Sequence, residues 1–107
     1  MPRSDRLRGY LQRLSEVLEK HGESSPALAA ALSAADAELE TFITSNDLWG
    51  GAGSIADQAG AATRTSASRE IEDALIDLGS EQIRLGLVNP RTDAWVKTFT
   101  EWRQRGI

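Results

Sequence analysis

The sequence predicts an all-α fold: a single-domain four-helix bundle or compact helical domain, with a long glycine-rich connection between the second and third helices. Three observations carry this expectation. Apolar residues recur at three- and four-residue steps along four segments. Polar caps, glycine and proline punctuate the segment ends. No stretch shows the period-two alternation of a half-buried strand. At 107 residues the chain has the length of one domain. A domain of this size buries about two-thirds of its unfolded surface.

The first helix is expected over about 5–21. Ser4 reads as its N-cap and Asp5 suits the first turn. Leu7, Tyr10, Leu11, Leu14, Val17 and Leu18 make one apolar stripe. His21-Gly22 ends it, because glycine takes the left-handed conformation without a Cβ clash. The second helix is expected over about 26–45. Ser25 caps it, and Pro26 suits the first helical position, where its missing N–H is not needed. Leu28, Ala31, Leu32, Ala35, Leu39, Phe42 and Ile43 form its stripe. Its many alanines raise helix propensity and let a neighbour approach closely. Ser45-Asn46-Asp47 closes it with turn-forming residues.

A short helix is expected over about 54–59, and Gly60 to Ser68 reads as a mobile loop that orders on binding. Ser68 then caps a third helix over about 68–85. Its apolar spacing runs through Gly79, which marks a close helix crossing or a kink. Gly86 ends it. Asn89-Pro90 repeats the cap-plus-proline signal and opens a fourth helix over about 90–104. Trp95, Val96, Phe99 and Trp102 line that helix, with Arg103 and Arg105 near its C-terminal end.

Composition excludes several functions. There are no cysteines, which removes disulfides, thiol catalysis and thiolate metal sites. No apolar run reaches the length of about 18 residues that a membrane span needs. The N-terminus enters charged helix pattern without an apolar signal-peptide core, so a cytoplasmic protein is expected. Net charge is -4, and it is arranged in blocks. Residues 1–20 carry five basic and three acidic groups, and residues 84–107 five basic and two acidic. Residues 21–47 and 70–83 each carry five acidic groups and no lysine or arginine. Either the terminal helices neutralise the inner ones, or an acidic face awaits a basic partner. The like-charged pairs Asp36 with Glu40 and Asp73 with Asp77 call for a cationic neighbour, most simply the first or fourth helix. Nucleic acid is disfavoured, because no dense basic patch with interleaved aromatics is present.

The stretch that departs from helical grammar is Trp49-Gly50-Gly51-Ala52-Gly53-Ser54-Ile55-Ala56-Asp57. Three readings stay open. The backbone N–H groups of Gly50, Gly51, Gly53 and Ser54 could cradle an anion, although Asp57 opposes one and no phosphate-loop lysine follows. The stretch could contact a partner or ligand. Or it is a tight turn in which Trp49 plugs the bundle end while Ser54 and Asp57 pin the backbone as in a capping box. The binding residues expected are Trp49, Gly50, Gly51, Gly53, Ser54 and Asp57.

Carboxylates offer a second constellation. Glu16 with Glu19, and Glu70 with Asp73, each lie three apart on a helix face. Two such pairs on facing helices suit magnesium. The order resembles that of the all-α nucleotide pyrophosphohydrolases, but the gap of about 50 residues exceeds that pattern. His21 is the single histidine, and no Glu-x-x-His motif or serine with a histidine base is present. No cofactor and no resident metal are expected.

The run Asn46-Asp47-Leu48-Trp49-Gly50-Gly51-Ala52-Gly53-Ser54-Ile55-Ala56-Asp57 resembles the Leu-Trp-Gly-Gly-x-Gly-Ser-x-x-Asp core of small bacterial proteins of roughly this length. Trp102 and Gly106 stand where that group keeps a tryptophan and a glycine near the C-terminus. Some of its members look like immunity proteins that neutralise a toxin. The resemblance implies a non-catalytic interaction factor, with a protein partner such as a basic toxin. Two alternatives are a metal-dependent hydrolase using Glu16, Glu19, Glu70 and Asp73, and a structural homo-oligomer packed through the alanine-rich second helix.

Overall fold

The computed structural model describes residues 3–23, 25–50, 54–61 and 66–106. Six helices follow one another along the chain: α1 (Arg3–Lys20), α2 (Pro26–Ser33), α3 (Asp36–Ile43), α4 (Ile55–Ala61), α5 (Ser66–Leu85) and α6 (Thr92–Arg105). No strand occurs among the described residues, so the all-α class holds. The radius of gyration is 12.7 Å, close to the roughly 13 Å of a compact domain this long.

Helix α5 is the hub, packing against α1, α4 and α6. Its side-chain pairs give the register. Lys20 meets Glu70 at 3.0 Å, Arg13 meets Asp77, and Arg6 lies 3.7 Å from Glu81. Numbers fall along α1 as they rise along α5, so the two helices are antiparallel. The α5–α6 seam behaves the same way, with Asp73 on Arg103 at 3.1 Å and Gly79 against Val96. Exposed ion pairs contribute only about 0.2–1 kcal/mol each. Their consequence here is register, and they neutralise the acidic block of α5 with cations from both terminal helices.

Beneath the seams lies one apolar core. Leu7, Leu11 and Leu14 of α1 are fully buried, as are Leu39 and Ile43 of α3, Leu75 and Leu78 of α5, and Phe99 of α6. Gly79 lets α5 and α6 approach. A Cβ built there would stand 2.4 Å from Val96 Cγ2 and 3.0 Å from the Trp49 ring. Of the two expectations for this glycine, the close crossing is the one realised, within a continuous helix. Gly22 and Gly86 take positive φ just beyond α1 and α5, as their C-terminal positions require.

The structure changes several boundaries. The expected second helix is two helices, with Ala34 and Ala35 extended between them at ψ 168° and 163°. Alanine propensity is overridden by Arg8 of α1. Its guanidinium donates to the carbonyls of Leu32 (2.6 Å) and Ala34 (3.0 Å) and to the Asp36 carboxylate (3.0 Å). One cation thus satisfies the end of α2 and meets the acidic first turn of α3. This also supplies the cationic neighbour that Asp36 called for. The short helix extends to Ala61 and α5 begins at Ser66, so the expected loop is helical at both ends, while residues 62–65 lie outside the described residues. Ser68 is therefore no cap but a buried residue inside α5. Finally, α6 begins at Thr92 rather than near Pro90. Asn89 and Thr92 close a local turn instead: the Asn89 N–H donates to Thr92 Oγ1, and the Arg91 N–H to Asn89 Oδ1. Ser4 lies within α1, not before it.

Candidate functional site

The central stretch is built as a plug. Trp49 is fully buried. Its indole Nε1–H donates to Gln82 Oε1 at 3.0 Å, and its carbonyl accepts from Trp95 Nε1 at 3.0 Å. Gln82, itself fully buried, donates onward to the carbonyls of Ile43 (2.8 Å) and Leu87 (2.9 Å). One amide therefore ties the ends of α3 and α5 to the tryptophan. Asn89 does similar work nearby, donating to Thr44 O and Asn46 Oδ1. Trp95 stacks on Phe99 at 5.2 Å, and Trp102 meets Phe99 edge-on at 5.7 Å. Both tryptophans of α6 are half-buried against the core.

The described backbone on either side of residues 51–53 is also hydrogen-bonded. The Trp49 and Gly50 N–H groups donate to Ser45 O and Asn46 O. Gly50 is required by closeness, because a Cβ there would fall 2.3 Å from Asn46 Oδ1. The Ile55 and Ala56 N–H groups donate back to Asp47 O and Leu48 O. Ser54 is buried, and its Oγ accepts the Asp57 N–H at 3.0 Å, which forms the serine half of the capping box. Gly51 and Gly53 lie outside the described residues. Of the three readings, the structural plug accounts for Trp49, Gly50 and Ser54. The Gly50 N–H is occupied and does not face an anion.

The four carboxylates of the hydrolase alternative are not gathered. Among the described residues no group of three or more His, Asp or Glu side chains could hold a metal ion. Glu70 faces Lys20 at 3.0 Å and His21 at 3.5 Å, Asp73 faces Arg103, and Glu16 accepts from Gln12 on its own helix. The hydrogen bond from Lys20, with the charges of Lys20 and His21, lowers the Glu70 carboxyl from its ordinary value against the effect of burial. Glu81 is lowered likewise, first by its hydrogen bond from Arg84 and then by the charges of Arg6 and Arg84. These are ion-pair signatures.

What the structure offers to solvent is a groove beside the plug. A depression of about 320 Å³ is lined by residues from the end of α1, the start of α2, the turn at Asp47, helix α4 and the first turns of α5. Its apolar surface comes from Leu18, Pro26, Ile55, Ala59 and Ile71, and its polar surface from Ser25, Gln58 and Ser68 with the carboxylates Glu23 and Asp47. Sequence reasoning reached Asp47 and Ile55 through the central motif and missed the rest. Leu18 and Ile71 read as ordinary stripe residues, and nothing in their spacing shows that they border an opening.

The fold and site together define an all-α helical domain with an internally braced plug and an acidic, apolar-walled groove. Comparison of the chain with protein-family models, with curated proteins and with solved structures finds no match in any of the three.

Proposed function

We propose that the chain is a non-catalytic protein-interaction factor of the immunity or antitoxin kind, acting in the cytoplasm on a basic protein partner. One contrast supports this reading above others. The described groups of the central motif, Trp49, Gly50 and Ser54, are occupied within the fold, while the described residues lining the groove beside it include carboxylates and no lysine, arginine or histidine. The partner surface is accordingly narrower than two whole acidic helices. Asp36, Glu70, Asp73, Asp77 and Glu81 are already faced by the chain's own cations. Acid that is left without such a neighbour steers a basic partner and adds specificity. The resemblance of residues 46–57 to immunity-like proteins points the same way. Hydrolysis is the weaker reading, because no group of three or more such acids among the described residues could hold a metal ion.

The test is thermal unfolding in the presence of magnesium, manganese, inorganic phosphate and a nucleotide panel. A ligand at 100 times its dissociation constant adds about 2.7 kcal/mol, a shift on the order of 10 °C for a domain of this size. The interaction reading expects a flat panel. A specific shift that disappears in Asp73→Asn would overturn it in favour of metal-dependent chemistry.

A further inference from the structure

A second depression adjoins the first. It measures about 160 Å³ and is lined by Ser15, Leu18, Glu19, Ser25, Pro26, Leu28 and Ala29. Leu18, Ser25 and Pro26 belong to both walls. The two depressions therefore adjoin and make one surface at the α1–α2 junction. Its acids are Glu19, Glu23 and Asp47, all exposed. Among the described residues neither depression has a basic side chain in its lining. Lys20 and His21, on the adjoining end of α1, face Glu70 instead.

We propose that this joint surface is a recognition groove for an extended basic peptide segment of the partner, with lysine or arginine side chains at alternate positions. The inference rests on the interaction reading above and specifies what that surface takes. Three physical points lead to it. Charge complementarity requires a cationic occupant, because an apolar or anionic one would desolvate carboxylates without giving them a partner. A lysine or arginine has an aliphatic stem to lie on Leu18, Ile55 and Ile71, and a charged head to reach the acidic rim. In an extended chain, side chains two apart point the same way, so one segment can place a side chain in each of two adjoining depressions. A compact small amine would occupy one depression and leave the other empty.

The experiment is an NMR titration of the isotope-labelled chain with a capped hexapeptide, Lys-Ala-Lys-Ala-Lys-Ala. Counterparts carry norleucine or glutamate in place of lysine, and spermidine serves as a small polycation. The lysine peptide is expected to shift the amides of Leu18, Ile55 and Ile71 and to weaken as salt rises. Glu23→Gln and Asp47→Asn change exposed side chains, so both variants keep the amide spectrum of the folded chain. Each is expected to weaken binding roughly two- to fivefold, and the pair together about tenfold. Equal binding of the norleucine peptide, equal binding of spermidine at the same amides, or no shift at the groove would overturn the proposal. The two levels of inference separate cleanly. If a captured partner binds wild type and the double variant equally, the groove assignment fails and the interaction reading stands. A metal or nucleotide shift in the thermal panel removes the interaction reading itself.

Discussion

Gln82→Leu tests whether the plug organises the fold. Leucine approximates the volume of glutamine but carries no polar atoms. The substitution leaves three groups without their partner: the Trp49 Nε1–H and the carbonyls of Ile43 and Leu87. A buried polar group left unsatisfied costs about 1–3 kcal/mol. The Leu87 contact is only part-buried, and leucine gains some apolar burial, so the lower end of that range applies to each group. The sum is a loss of about 3 kcal/mol. Domains of this kind have about 5–15 kcal/mol in total, so the variant folds, with a Tm lower by on the order of 10–20 °C. Urea unfolding followed by tryptophan fluorescence and far-UV circular dichroism measures it. Trp49→Phe provides the cycle. It removes the indole N–H, so in the Gln82→Leu background it should cost about 1 kcal/mol less than in wild type, the coupling expected of direct partners. If Gln82→Leu stays within about 0.5 kcal/mol of wild type, the range of an ordinary surface change, or if the two substitutions are additive, the bracing argument fails.

Two further outcomes follow from the same geometry. Gly79→Ala would stabilise an exposed helix by about 1 kcal/mol. Here its Cβ meets Val96 and the fixed Trp49 ring, and overpacking costs about 1–3 kcal/mol, so the Tm is expected to fall, and a rise would disprove the tight α5–α6 crossing. Glu70 and Glu81 titrate below their unfolded value of 4.5. A depressed carboxylate stabilises the fold above the unfolded value and loses that contribution as pH falls through the folded one. Stability should therefore decline below about pH 4.5, and less steeply in Glu81→Gln; identical acid limbs in urea unfolding would show that the Arg84 and Arg6 contacts carry no weight.

Much of the helix pattern is legible in the chain because helices are local. The stripes of α1, α5 and α6, the Ser25-Pro26 start and the glycine stops all follow from residues within a few positions of one another. The block charges also announce the seams. Basic ends and acidic interiors become Lys20 on Glu70, Arg13 on Asp77 and Arg103 on Asp73. Long-range effects were not legible. The split of the alanine-rich segment depends on Arg8, more than twenty residues away, whose guanidinium offers α2 a better end than continued helix. Gln82 and Asn89 read as an ordinary helix residue and a cap, yet each donates to backbone groups some forty residues distant.

The candidate site divides in the same way. The sequence by itself singled out residues 46–57, because glycine density and a lone tryptophan break helical periodicity, and it supplied the tight-turn reading of Trp49. Tertiary structure decided that the tryptophan faces inward onto Gln82, that the hydrolase carboxylates form no metal-holding group among the described residues, and that Leu18 and Ile71 border an acidic groove. Periodicity assigns a residue to a helix face, but whether that face meets a neighbour or an opening depends on how separate helices pack. The packing is set by contacts such as Gly79 with Val96 and Arg8 with Leu32, which no local pattern encodes.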